Sequence, residues 1–236
     1  FAEFANDLLQ YIDRDMTSKG GAFFSAEDAD SEGVEGKFYV WTQEEVEKIL
    51  GRKTSSVAIP YYNITPKGNF DGKNILNITR GPKTIAKELG MQEVTVINEL
   101  QIARDKLLEI RSQRIRPLLD DKILTSWNAL MISAMAKTGR VMEDADRTEK
   151  AARAMKFILT HLRTSEGKLF RRYRDGEARY DGYLCDYTAT AIACMDLYEA
   201  TYESHYIETA RDLMQRVEDK FCNENGTFHE TANDGE

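Results

Sequence analysis

The chain has 236 residues, of which 42% are apolar, 10% aromatic and 31% charged, so it can bury a sizeable core and is not a disordered polymer. A net charge of -8 and a pI near 5.1 argue against a nucleic-acid or anionic-membrane partner, because phosphate surfaces are held by clustered Lys and Arg. No run approaches the roughly 18 apolar residues a membrane span requires, and three unpaired cysteines point to a reducing compartment, with the cytoplasm as the expectation.

Residues 2–15 carry Phe4, Leu8, Leu9 and Ile12 at helical spacing and read as an amphipathic helix. The chain starts at Phe1 without a Met and apparently inside this helix, so it reads as a piece of a longer protein. A Ser/Gly turn then leads to Phe23. From there to about residue 119 the pattern breaks, and this stretch reads as an elaboration inserted on one rim. Residues 37–41 look like a strand. Residues 42–50 look like a short helix entered by the capping box Thr42-x-x-Glu45, and residues 92–114 like a longer one. Pro117 separates that helix from the next. The basic run from Arg111 to Arg116 reads as a solvated face.

Residues 124–137 are apolar nearly all round, with Thr125 or Ser126 as the expected N-cap and Gly139 as the expected left-handed stop. Residues 186–202 have the same character, with Asp186 as the expected cap. Both read as buried inner helices. Ala151, Met155, Ile158 and Leu162 form a single stripe, as do Ile207, Ala210, Leu213 and Val217, so these segments read as outer helices. Inner and outer helices alternate with Gly-aromatic hairpins, and Trp127 and Tyr187 stand 60 residues apart. The pattern predicts one all-α domain over residues 1–236, a partial α/α toroid with short β-hairpins on one rim and the 23–119 elaboration within it. Half a ring leaves apolar flanks open, so self-association of the chain is expected as well.

Several site types fail on spacing. The acids from Glu27 to Glu35 resemble a calcium loop with Gly33 sixth from Asp28, but Tyr39 stands where the bidentate Glu belongs. Cys222 and His229 have no recognised zinc spacing. No metal and no cofactor is expected. What remains is a set of acids, amides and aromatics at the starts of the inner helices: Asp120, Asp121, Trp127 and Asn128 at one, Asp181, Tyr183, Asp186 and Tyr187 at the other. Carboxylates supply acid and base, aromatic faces pack on sugar rings and amides grip hydroxyls. The residues therefore point to a sugar or polyol ligand, with Asp121 and Asp186 as the catalytic pair and Trp127, Asn128, Tyr187 and Asp120 as contacts. Asp28, Asp30 and Glu35 close over them from the rim elaboration. If the pair hydrolyses a glycosidic bond, the carboxyls should lie about 5 to 5.5 Å or about 6.5 to 9.5 Å apart. The structural alternative is that each acid is a helix cap and each aromatic is core.

The runs GAFFSAEDADSEGVEGKFYVWTQEEV, LLDDKILTSWNALMISAMAKTG and DGYLCDYTATAIACMDLYEAT resemble the helical part of the thioredoxin-domain-containing family of the spermatogenesis-associated thioredoxin-like protein. The resemblance implies a six-hairpin glycosidase-like toroid and a thioredoxin-like domain elsewhere in the full-length chain as its partner. It implies a fold more strongly than a reaction: hydrolase, epimerase or isomerase chemistry, or a non-catalytic scaffold beside the thioredoxin-like domain. Histidines are used by epimerases of this fold, and none of the three here falls on an inner helix. The family pattern has Asp where Cys185 stands and Gly where Ala129 stands.

Overall fold

The computed structural model describes residues 2–233. In chain order its elements are α1 (Ala2–Asp15), β1 (Ala26–Glu27), β2 (Asp30–Ser31), β3 (Val34–Glu35), α2 (Gln43–Tyr61), α3 (Pro82–Leu89), α4 (Glu93–Ser112), β4 (Leu119–Asp120), β5 (Ile123–Leu124), α5 (Thr125–Val141), α6 (Ala145–His161), β6 (Phe170–Arg174), β7 (Glu177–Asp181), α7 (Leu184–Thr201) and α8 (Ser204–Phe221). They fall into two compact units. One takes the chain up to residue 26 and from 119 onward, and the other takes residues 27–118. Among the described residues, no helix is long and apolar enough to cross a membrane.

The first unit is an arc of helical hairpins. α5 and α7 lie against each other, while α6 packs on α5 and α8 on α7. This is the inner and outer alternation of a partial α/α toroid. Chemistry sets the layers. α6 and α8 each bury one stripe, Ala151, Ala154, Met155 and Ile158 on α6 and Tyr206, Ala210, Leu213 and Val217 on α8, and show charges on the other side. The inner helices contribute Ala129, Ile132, Met135 and Ala136 from α5, and Tyr187, Ala191, Cys194 and Leu197 from α7, to the same core. They are not buried all round, however: Trp127, Leu130, Ile192 and Met195 are exposed on their free flanks.

Gly139 does not end α5 as the sequence pattern predicts. It lies within the helix, where a Cβ would run into Thr148 Oγ1 of α6 and come within 3.0 Å of the Asp144 carbonyl, so the residue is small to let the two helices close up. A short antiparallel sheet β5-β6-β7 covers the ends where the inner helices begin, pairing Ile123 with Tyr173, Leu124 with Arg172 and Arg172 with Arg179.

The second unit is built on α2 and α4, with α3 against α4. Thr42 caps α2 as the sequence predicts, accepting the Glu45 amide at 3.1 Å. The first stretch of α2 ends where the sequence predicts, at Gly51, whose φ of 71° and ψ of 168° are not helical; a second helical stretch, not expected from the sequence, runs on from there to Tyr61. Residues 37–41 are not a strand. Tyr39 and Val40 donate back to the Gly36 carbonyl in turns, and only Trp41 bridges, to Asn74. A helix not expected from the sequence, α3, starts at Pro82 and stops at a left-handed Gly90. The core holds Trp41, Val46, Leu50, Ile64 and Leu107, with Arg114 stacked 3.8 Å over the Trp41 ring.

Candidate functional site

The starts of α5 and α7 lie side by side, and one carboxylate joins them. Asp186, in the first turn of α7, accepts the Ser126 amide of α5 at 2.9 Å on Oδ1 and the Tyr183 amide at 2.8 Å on Oδ2. Neither Thr125 nor Ser126 caps α5 with its own side chain; the partner helix supplies the acceptor instead. Asp186 has no solvent exposure. Burial pushes its carboxyl above the ordinary range, opposed by the two amides and by Arg171, whose guanidinium is 3.8 Å away.

Two other predicted contacts are also committed to the frame. Asn128 accepts the Phe23 amide at 2.7 Å and donates to the Phe23 and Leu124 carbonyls, which pins the chain after α1 to α5. The hydroxyl of Tyr187 accepts the Leu169 amide at 2.8 Å while its ring packs on Phe221. Both residues are buried. Their roles follow from their groups, since an amide or phenol in a core must find a partner.

The solvent side of the same rim carries the rest. Trp127, in the first turn of α5, is 55% exposed. Asp121 pairs with Arg174 of β6 at 2.7 Å, and Asp120 pairs with Lys122 at 2.5 Å, a bond that lowers the Asp120 carboxyl below its ordinary range. Arg171 lies 4.3 Å over the Tyr183 ring and Arg172 5.3 Å over Tyr180. Tyr180 is exposed and holds a left-handed φ of 62°, a strained backbone for a bulky residue. Residue types alone do not mark these arginines as neighbours of a helix start; the strand pairing that sets β6 beside the head of α5 does.

Further along the inner helices, Ser133 donates to Asp196 at 2.5 Å and Lys137 reaches Asp196 at 2.8 Å, a polar link between α5 and α7 not expected from the sequence. Its trace in sequence is the four-residue step from Ser133 to Lys137, which places both on one helix face.

Asp28, Asp30 and Glu35 lie in the second unit. Asp28 accepts the Asp30 amide at 3.1 Å, and Asp30 stands opposite Glu35 in the β2-β3 ladder. Glu32 and Lys37 pair at 2.7 Å beside them. Among the described residues, no group of three or more His, Cys, Asp or Glu is placed to hold a metal ion.

No family model matches the chain. Human spermatogenesis-associated protein 20 is 30% identical over 96% of this chain and 33% of its own length. The mouse protein of the same name is 30% identical over 93% and 32%, so the chain spans about one third of the length of these curated relatives. Among solved structures, a cellobiose 2-epimerase from Bacillus thermoamylovorans is 11% identical over 95% of this chain and 57% of that one, with a TM-score of 0.43. A D-mannose isomerase is 13% identical over 98% and 73%, also at 0.43. Superpositions this loose say nothing about activity. The sequence relationship is the stronger finding, and by it the chain belongs to the family of spermatogenesis-associated protein 20, as a segment matching about a third of those proteins.

Proposed function

We propose that the chain is a carbohydrate-interacting helical domain whose contact surface is the solvent side of the rim where α5 and α7 begin. The observation that carries this reading is Trp127, a large indole left half in solvent in the first turn of α5. It sits on the residue run that leaves β5, the strand paired to the arginine-bearing β6. An open aromatic face beside fork-shaped donors and a carboxylate is the chemistry that holds a sugar ring and its hydroxyls. The strained, exposed Tyr180 supports it, since strain of this kind persists where a side chain has to be presented.

In this reading Trp127 stacks on the ligand, while Asp121 and Arg174 bind hydroxyls. Asp120 supports them from its pair with Lys122. Asp186, Asn128 and Tyr187 act from beneath by fixing the helix starts, and in this conformation Asp186 has no surface with which to touch a ligand. Two-carboxylate hydrolysis with Asp121 and Asp186 therefore requires the Asp186 latch to open first.

A second reading is a docking scaffold beside a thioredoxin-like domain. It is favoured by Leu130 and Val141, which continue the exposed flank of α5 below Trp127. A thermal-shift panel of mono- and disaccharides separates the two. Stabilisation that is lost in Trp127→Ala and Asp121→Asn, with Val141→Ser unaffected, supports the sugar site. No shift with any sugar, together with capture of a separately expressed thioredoxin-like domain that Leu130→Asp abolishes, supports the scaffold.

A further inference from the structure

The hairpin of β6 and β7 runs against the charge of the chain. The whole protein carries -8, yet residues 168–181 hold five cations, Lys168, Arg171, Arg172, Arg174 and Arg179, against three acids. The strand register sets Arg172 directly opposite Arg179, and Arg174 opposite Glu177. Residues opposed in this way share one side of the sheet, and like charges so placed repel.

The neighbouring acids are already matched. Glu177 is taken by Arg179 at 2.6 Å, Asp181 by Lys168 at 2.7 Å, and Asp121, ahead of β5, by Arg174 at 2.7 Å. Asp175 in the turn lies 3.8 Å from the same Arg174. Arg172 is the cation left over. Among the described residues its side chain has no hydrogen bond and no ion pair, and its Nε is shut off from solvent without a partner. A half-buried guanidinium in that state leaves five donors unanswered, which destabilises the fold unless something else answers them. What holds it is the ring of Tyr180, 5.3 Å away, on a residue kept at a left-handed φ of 62°. The cation is therefore held in place on an aromatic platform rather than neutralised. It also stands at the rim already described, since its partner in β5 is Leu124, three residues ahead of Trp127.

We propose that Arg172, with Arg179 across the ladder, binds the anionic group of an acidic sugar, a carboxylate or a phosphate ester, whose ring lies on the Trp127 surface. The inference rests on the reading of that rim as a sugar surface and names the class of sugar it takes. A guanidinium fork meets either group with two parallel N–H donors and a full opposite charge, which a neutral hydroxyl cannot supply. The same charge offsets the repulsion between Arg172 and Arg179. A positive hairpin on an acidic chain also draws anionic ligands to this rim rather than elsewhere on the surface.

The test is isothermal titration calorimetry on this chain. Glucuronate, galacturonate, glucose 6-phosphate and mannose 6-phosphate are each set beside the neutral parent, with acetate and inorganic phosphate as anions without a ring. The expected result is that an acidic sugar binds about ten- to a hundredfold tighter than its parent. Arg172→Gln should remove that margin and leave the affinity for the parent, while Arg172→Lys, which keeps the charge without the fork, restores part of it. A uronate in the lead identifies a carboxylate and a hexose phosphate a phosphate ester, and either supports the proposal. Acidic sugars that bind no tighter than their parents overturn it and leave the sugar surface standing. Acetate or inorganic phosphate binding as tightly as the acidic sugars overturns it too, since the site then takes an adventitious ion only. If neither acidic nor neutral sugars bind, this proposal and the sugar reading fall together. Without ligand, Arg172→Gln should unfold no earlier than wild type, because it removes a repelled and unpaired charge. A clearly lower midpoint would make the guanidinium structural and overturn the proposal.

Discussion

Asp186 of α7 closes the head of α5: its carboxylate accepts the Ser126 amide at 2.9 Å while holding the Tyr183 amide at 2.8 Å on its own helix. One buried side chain thus satisfies donors at two helix starts, and removing it leaves both amides without an acceptor. Each such orphan costs about 1–3 kcal/mol. Asp186→Ala is expected to lose about 2–4 kcal/mol in urea unfolding. A loss below about 0.5 kcal/mol would show that water replaces the latch.

The same residue sets a pH dependence. Burial raises the native Asp186 pKa above its ordinary value, so the native state holds that proton more tightly than the unfolded chain does. Its contribution to stability is therefore full below the ordinary Asp pKa of about 3.9 and declines as pH rises through the raised native value. Asp186→Asn cannot titrate. The stability difference between wild type and this variant should shrink steadily from about pH 4 upward. A difference that grows over the same range would reverse the sign of the shift.

Gly139 is where α5 and α6 come closest. Gly139→Ala places a methyl group against Thr148 Oγ1 and the Asp144 carbonyl, and overpacking of this kind costs about 1–3 kcal/mol despite the better helix propensity of Ala. Thr148→Ala removes the nearer obstacle, so the double variant should recover part of the loss. If the double variant is no more stable than Gly139→Ala alone, the clash lies with the backbone.

The three cysteines should separate by reactivity. Cys185 is exposed, whereas Cys194 is buried between α6 and α7 with its thiol pushed up to about 12 by desolvation. Iodoacetamide at mildly alkaline pH should label Cys185 first and Cys194 only on unfolding, because the thiolate is the attacking form. Early labelling of Cys194 in native protein would mean that the seam between α6 and α7 opens.

The helices were legible because periodicity reports burial. The single stripes of α6 and α8 and the all-round apolarity of α5 and α7 separated outer from inner layers before any coordinates, and Thr42 with Glu45 marked the start of α2. The strand expected over residues 37–41 failed because Gly36 directs that stretch into turns, and α3 was not expected from the sequence. Gly139 was read as a stop because a glycine needed for a left-handed turn and one needed for close helix packing look the same in one dimension.

The candidate site divides along the same line. Sequence by itself determined which residues gather at the helix starts, since Asp120 and Asp121 lie four or five residues ahead of α5, Trp127 and Asn128 in its first turn, and Tyr183, Asp186 and Tyr187 at the head of α7. It could not assign their work, because an Asp before a helix, an Asn in its first turn and a Tyr on its inner face can each meet either a ligand or a neighbouring backbone. Only the tertiary structure decided that Asp186, Asn128 and Tyr187 spend their polar groups on amides of segments 60, 105 and 18 residues away. It left Trp127 and the Asp121–Arg174 pair in solvent. The physical reason is that a buried polar group must take whichever partner folding brings within about 3 Å, and that partner is set by packing between distant segments rather than by local sequence.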